Sequence, residues 1–577
     1  MRPISRRSDR SEVSLIQGSS AAEKDLEDWR RYRGRIGDDA RSTPVYKMKL
    51  NGPVPDELNL YPQNVRTGNE GRGSDLLGGM WKIGRNRLEI PAGVPPWSRP
   101  GPSRHFADRL HRFHWLTDLC SIGPEGQRLG RALIADWVQN FGRWNGFVWR
   151  IPVTADRVWN WLVGGPNLLD NLPPDSEVLA SLSRQVRHLQ HGTTNCGEPR
   201  AILKSLFVQL AFAFATGEDD RRIASLEAQL EFTLGDQILA DGGHVSRNPE
   251  ALLDILLDLQ TIDDLYLRTG RPSLAFVTKT VPRISGMLKF LRMGDGGLPI
   301  MNGGGEGRRS DLKNALFPYA NMRAFAFATK TGIQKLEAAN TRLLLDAGHA
   351  PSPEYGHEAH AGCLSFELED HGERMVVNCG SDRDVDPVWQ AATRRTDGHS
   401  TLVLSGHDCS QFVPIRSLGL EAPTGPTGVT AKRMEEQSQV WIDSQHGGWK
   451  DSFGLIFRRR LFLDGDGSRL TGEDSLFRPI SAGVTEDTDK IPFDVRFHLH
   501  PSVRLKPDGE HLRIILPSGA AWVFKTKHKR KSIDRSVYLA RGTVEKCWQL
   551  VLSGEADPNG DATADSNIVK WAFVKVV

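Results

Sequence analysis

The chain has no run of about eighteen apolar residues, so no segment reads as a membrane-spanning helix. Its N-terminus, MRPISRRSDRSEVSLIQGSS, is basic but lacks the apolar core of about 7–15 residues that a secretory signal requires. As written it implies a cytoplasmic protein, or a periplasmic one if the true start differs. No CxxC pair is present. The six cysteines, at 120, 196, 363, 379, 409 and 547, are scattered, which excludes zinc-finger and thioredoxin-like readings. Net charge is only +3, too little to argue for a nucleic-acid partner. The glycine-rich stretch Gly294–Gly307 lacks the terminal Gly-Lys-Ser/Thr of a phosphate loop.

With 577 residues the chain exceeds a single hydrophobic core. Residues 1–104 form a polar lead followed by a Gly/Pro/Asn-rich cap. From about 105 to 344 the period is helical, with runs at 126–141, 155–163, 176–191, 198–215, 221–238, 249–269, 272–293 and 311–330. Leu203, Leu206, Leu210 and Phe214 make one apolar stripe. From 345 to 577 short alternating runs separated by turns such as Asp464-Gly465-Asp466-Gly467 predict a β-sandwich. The architecture is therefore helices first, then antiparallel strands, with a cleft between the two as the favoured ligand site.

The densest chemical signal is residues 354–380, EYGHEAHAGCLSFELEDHGERMVVNCG. His357 and His360 precede an alternating strand, Leu364 to Glu369, and His399 precedes another, Thr401–Leu404. Three histidines thus gather at the mouths of neighbouring strands, where a rigid sheet presents polar groups.

These segments resemble the heparinase II/III family of polysaccharide lyases. His360 to Phe366 is similar to its His-Ala-Asp-x-Leu-Ser-Phe segment, and Arg395 to Thr401 to its Arg-Ser-x-x-His-Asn-Thr. His446-Gly447-Gly448-Trp449 and Phe497 to Pro501 resemble further strands, and Asp241 to Pro249 resembles a segment of its helical domain. The resemblance spans roughly residues 80–577. It implies an α+β multidomain fold, an N-terminal incomplete (α/α) toroid followed by a C-terminal antiparallel β-sandwich. It also implies β-elimination on an acidic, uronate-containing glycan. That reaction needs a neutraliser for the uronate carboxylate, a base for the C5 proton and an acid for the leaving oxygen.

Carried onto this sequence, the family tyrosine falls on Ala251, and the neutralising position falls near Asn195 or Glu198. His360 matches the sandwich histidine, and Gly362 stands where the family has Asp. His357 and Glu358 lie near the additional catalytic histidine of some members. The implied acid/base set is His360, His357, His244, Glu198 and Tyr355, with Tyr319 a further substitute for the missing tyrosine. Arg247, Asn248, Arg395, Asn195 and Glu358 are the implied substrate contacts, the arginines pairing with a carboxylate. For Arg247 the plainer role is a helix-start ion pair, and for His244 a neighbour of the helix cap. Elimination requires no cofactor; the resemblance adds a structural zinc at His360 and His399, with Asn378 in the third position. Two other readings stay open: a non-catalytic glycan-binding protein, and a glycoside hydrolase using Glu198, Asp241 and Glu358. The sequence fixes neither the glycan nor the oligomeric state.

Overall fold

The computed structural model describes residues 43–576, apart from 171, 173–175, 194–195, 416–419, 437–438 and 487. After a short helix, Pro44–Leu50, and a hairpin of Met80–Ile83 with Asn86–Glu89, a helical domain runs from Arg104 to Leu316. Its long members are Pro124–Phe141, Ile151–Val163, Val178–Gly192, Pro199–Thr216, Asp220–Gln237, Pro249–Arg268 and Ala275–Leu291. Local chemistry sets their ends. Proline occupies the first turn of Pro124–Phe141, Pro199–Thr216 and Pro249–Arg268, where its missing N–H is not needed. The Asp219 and Asn248 side chains cap the following helices. Pro199–Thr216 packs against both Ile151–Val163 and Asp220–Gln237. The helix anticipated at 311–330 stops at Leu316 and gives way to a 3₁₀ turn, Phe317–Tyr319, because Pro318 cannot donate to a continuing helix.

The C-terminal half is two antiparallel sheets. One runs, in spatial order, Thr430–Glu436, Gln439–Trp449, Leu455–Leu463, Arg469–Phe477, Ile568–Lys575, Ala521–Thr526, His511–Ile515 and Arg504–Asp508. The other runs Lys531–Tyr538, Glu545–Ala556, Ile491–Leu499, Glu373–Val377, Phe366–Asp370, Thr341–Asp346 and Ile333–Ala338, with Leu402–Leu404 paired to Ile491–Leu499. Two of its strands, Ile333–Ala338 and Thr341–Asp346, begin ahead of residue 345. Phe366, Phe497, Phe524, Trp571 and Phe573 fill the space between the sheets.

Strand Phe366–Asp370 was anticipated as half-buried, yet all five of its residues are buried. Its polar face is covered by the helical domain. The Glu367 carboxylate accepts from Ile300 N–H at 2.7 Å, and Glu369 accepts from Gly294 N–H at 2.7 Å. Arg374, 2% exposed, donates to Asp295, Glu367 and the Leu298 carbonyl. The loop from 294 to 300 is thereby fastened to the sandwich.

Candidate functional site

The histidines His360 and His399 meet. His399 is buried, and its Nδ1 lies 2.8 Å from the Arg395 carbonyl, which can only accept. Nδ1 therefore carries the proton and Nε2 is bare. His360 Nδ1 lies 3.1 Å from that Nε2 and must donate to it. The remaining His360 nitrogen, Nε2, is thus a lone pair with no partner; the atom itself is shielded from solvent although the side chain is partly exposed. Burial, reinforced by His399 and Arg394, holds the His360 imidazole neutral by pushing its pKa well below the ordinary value. The tautomer needed of a proton acceptor is set by the backbone two steps away.

Both loops are anchored from inside the sandwich. Arg459, fully buried, pairs with Asp474 at 2.6 and 3.0 Å and donates to the carbonyls of Leu364 (2.7 Å) and Ser400 (2.8 Å). Leu364 sits at φ +60°, four residues after His360, and Ser400 directly follows His399. Gly362 is required by the same packing, since a Cβ there would lie 2.4 Å from the His399 ring. An Asp at this position would therefore push against that ring.

Beside the histidines the cleft carries a lattice of charge drawn from both domains. Arg200 reaches Glu358 at 2.5 Å and Asp254 at 3.7 Å. Arg383, from a sandwich loop, pairs with Asp254 at 2.8 Å and Glu250 at 3.0 Å. Arg66 holds Asp258 at 2.8 Å, and Lys204 pairs with the same carboxylate. Burial alone would raise the Asp254 carboxyl, but Arg383, Arg66 and Arg200 hold it far below the usual range. None of these four contributing cations was singled out from the sequence. The signal was available: Arg200 and Lys204 stand four apart on one otherwise apolar helix, and Asp254 and Asp258 four apart on another, each pair making one polar stripe.

The remaining anticipated residues divide. His357 and Glu358 lie in the same wall, with His357 Nε2 at 3.9 Å from the Glu358 carboxylate. Tyr355 packs edge-on against His244, ring centroids 6.4 Å apart. His244 is itself buried between Ser246 Oγ (2.6 Å) and Gln237 Oε1 (3.2 Å), and burial, helped by Arg200, pushes its pKa down to about 3. Glu198 precedes Pro199–Thr216 without capping it by its side chain. Asn195 lies outside the described residues. Three residues are committed to the scaffold. Arg247 is buried, at φ +60°, and spends its guanidinium on Asp346, the Thr331 carbonyl (2.7 Å) and the His349 carbonyl (3.2 Å). Asn248 caps its helix through Glu250 and Ala251 N–H. Arg395 pairs with Asp408 at 3.2 Å and stacks 4.2 Å over Phe412. The carboxylate of Asp241 is likewise consumed by Gly243, Lys330 and Thr331, and leaves nothing for hydrolysis. Tyr319 sits at the 3₁₀ turn after Leu316, with its backbone carbonyl accepting from Lys289.

The donor set for zinc does not fit. The Asn378 side chain gives its N–H to the Ile300 carbonyl (3.1 Å) and its oxygen to Ser400 N–H (3.0 Å). The two imidazoles face each other without a carboxylate or thiolate between them. Among the described residues no group of three or more His, Cys, Asp or Glu is arranged to hold a metal ion. None of the described helices is long and apolar enough to cross a membrane.

Helices followed by an antiparallel sandwich is also the fold of the solved heparinase III structure. Residues 321–572 match the heparinase II/III-like C-terminal family. The chain is 31% identical over 545 residues to FtsZ-localized protein C of Caulobacter vibrioides, covering 92% of each. It also superposes on solved structures of heparinase III, with a TM-score of 0.65 at 13% identity over 96% of this chain and 91% of that one. A mutant of heparan sulfate lyase from Pedobacter heparinus gives a TM-score of 0.54 at 14% identity over 98% and 90%. This chain belongs to the heparinase II/III-like family.

Proposed function

We propose that the cleft binds an acidic glycan and cleaves it by β-elimination, with His360 as the base. The observation that carries this reading is the unpartnered Nε2 of His360, whose tautomer is imposed by His399 and the Arg395 carbonyl. In the reaction, Nε2 takes the C5 proton of a uronate residue. The electron pair forms the C4–C5 double bond as the C4–oxygen bond breaks. Tyr355, kept protonated by burial and by Asp236 and Glu354, gives its proton to the departing oxygen. A base held below its ordinary pKa is weak in the empty cleft. An anionic substrate beside it raises that pKa toward the working range, so base strength and substrate arrive together. The test is the ultraviolet absorbance of the conjugated unsaturated uronate, followed during incubation with a panel of uronate polysaccharides. Rising absorbance supports elimination. A flat trace accompanied by new reducing ends moves the reading to hydrolysis.

A second reading is favoured by Ala251. It is buried at the first turn of its helix and transfers no proton, as a scaffold kept for binding alone would allow. The Caulobacter relative's name further suggests action where FtsZ is found. A fluorescent fusion that stays diffuse while FtsZ forms its structure removes that location.

A further inference from the structure

We infer that Glu358 is an internal stand-in for the carboxylate of the ligand, and that Arg200 is the residue which recognises that carboxylate once Glu358 is displaced. The inference rests on the acidic-glycan reading above and specifies how the acid is read.

The argument is one of charge and exposure. Around Asp254 four cations converge, Arg66, Arg200, Lys204 and Arg383. Four carboxylates form ion pairs with them, Glu250, Asp254, Asp258 and Glu358, while Asp311 and Asp382 stand near Arg66 and Arg383. Three of these belong to one helix, Pro249–Arg268, and each is held by more than one partner. Asp258 is 2% exposed and shared by Arg66 and Lys204; Asp254 is shared by Arg66, Arg200 and Arg383; Glu250 also accepts from Gly305 N–H at 3.1 Å. Glu358 differs. It comes from the sandwich loop that carries His357 and His360. Its side chain is 39% exposed, and its one close cation is Arg200, itself 29% exposed. Without Glu358, the one ion pair left to Arg200 among the described residues is Asp254, at 3.7 Å and shared with Arg66 and Arg383. The neighbouring His244 and His360 are held neutral and add no further positive charge.

The exchange is electrostatically even. Burial would raise the Glu358 carboxyl, but Arg200, with His357 and Arg383, holds it down at about 2, so Glu358 is an anion at any working pH. A ligand carboxylate that replaces it on the Arg200 fork makes the same charge-assisted contact, and the released Glu358 moves into solvent. A neutral sugar would leave the Arg200–Glu358 pair intact. The site therefore selects one carboxylate per bound sugar, and the internal pair sets the threshold.

The experiment is calorimetric titration of the full chain with uronate hexasaccharides from heparan sulfate, hyaluronan and alginate, each beside its carboxyl-reduced counterpart. Glu358→Gln vacates the Arg200 charge while keeping the side-chain shape, and should bind the preferred uronate hexasaccharide about tenfold more tightly, with the reduced one unchanged. Arg200→Gln should bind both forms alike, with an unchanged circular-dichroism spectrum. If the unaltered chain binds a uronate hexasaccharide but Glu358→Gln binds it no more tightly, the stand-in is overturned and the glycan reading stands. If neither chain binds any of the saccharides, both fall together.

Discussion

Replacing Arg459 by Met separates what the sandwich core needs from what the site needs. Arg459 is completely buried, and so is its partner Asp474, which also accepts from Trp571 Nε1 at 2.8 Å. Taking away the guanidinium leaves a buried carboxylate with one neutral donor, at a cost of about 3–5 kcal/mol. The carbonyls of Leu364 and Ser400 lose their donor as well, at about 1–3 kcal/mol each if nothing replaces it. The single variant should therefore melt well below the unaltered chain in a thermal scan. Adding Asp474→Leu removes the uncompensated charge, so the double variant should recover most of the loss. It cannot restore the hydrogen bonds to Leu364 and Ser400, which hold the segments bearing His360 and His399. Glycan binding or turnover should therefore remain low in the double variant although its melting temperature has returned. A single variant costing less than about 1 kcal/mol, or a double variant that regains function along with stability, would refute the argument that this ion pair positions the site.

Other outcomes follow from the same geometry. Arg374→Ala should cost about 3–5 kcal/mol and raise amide exchange in the 294–300 loop, because Glu367 and Asp295 lose the buried cation that joins the two domains. Ala251→Tyr should lower stability by about 1–3 kcal/mol through overpacking and raise no turnover, since position 251 is 1% exposed; a gain in rate would show that the missing tyrosine is the limiting defect. Gly362→Asp should displace the His399 ring and abolish the imidazole pair, seen as loss of the shared-proton signal in NMR spectra. Acidification should destabilise the fold early. His111, His244, His446 and His498 are held at about 3 by burial, below their unfolded value of 6.5. Their contribution is complete above 6.5 and shrinks as pH falls toward 3, each adding about 1.4 kcal/mol per pH unit, so unfolding midpoints at about pH 5 should lie clearly below those at about pH 7.

Much of the fold was legible because it follows from local pattern. The helical period and its proline and glycine punctuation mark the long helices to within a few residues, the 311–330 run excepted, and alternation with Asp-Gly turns marks the sandwich. Strand Phe366–Asp370 shows where pattern stops. Its alternating glutamates read as a solvent face, but they meet the 294–300 loop, and a partner some seventy residues away leaves no local trace. The same limit governs the site. His357, Glu358, His360 and His399 were legible because they crowd into short segments. Arg247 and Arg395 carry the right chemistry, yet face Asp346 and Asp408 across the fold. The cations that do line the cleft, Arg200 and Arg383, are separated by most of the helical domain and become neighbours only through Asp254.

The most direct measurement of the central claim is unsaturated-uronate absorbance for the unaltered chain and His360→Ala, both verified as folded, on the same polysaccharide panel. The account predicts rising absorbance with the unaltered chain on at least one acidic glycan and none with His360→Ala. Equal rates from the two proteins would remove His360 as the base and contradict the account.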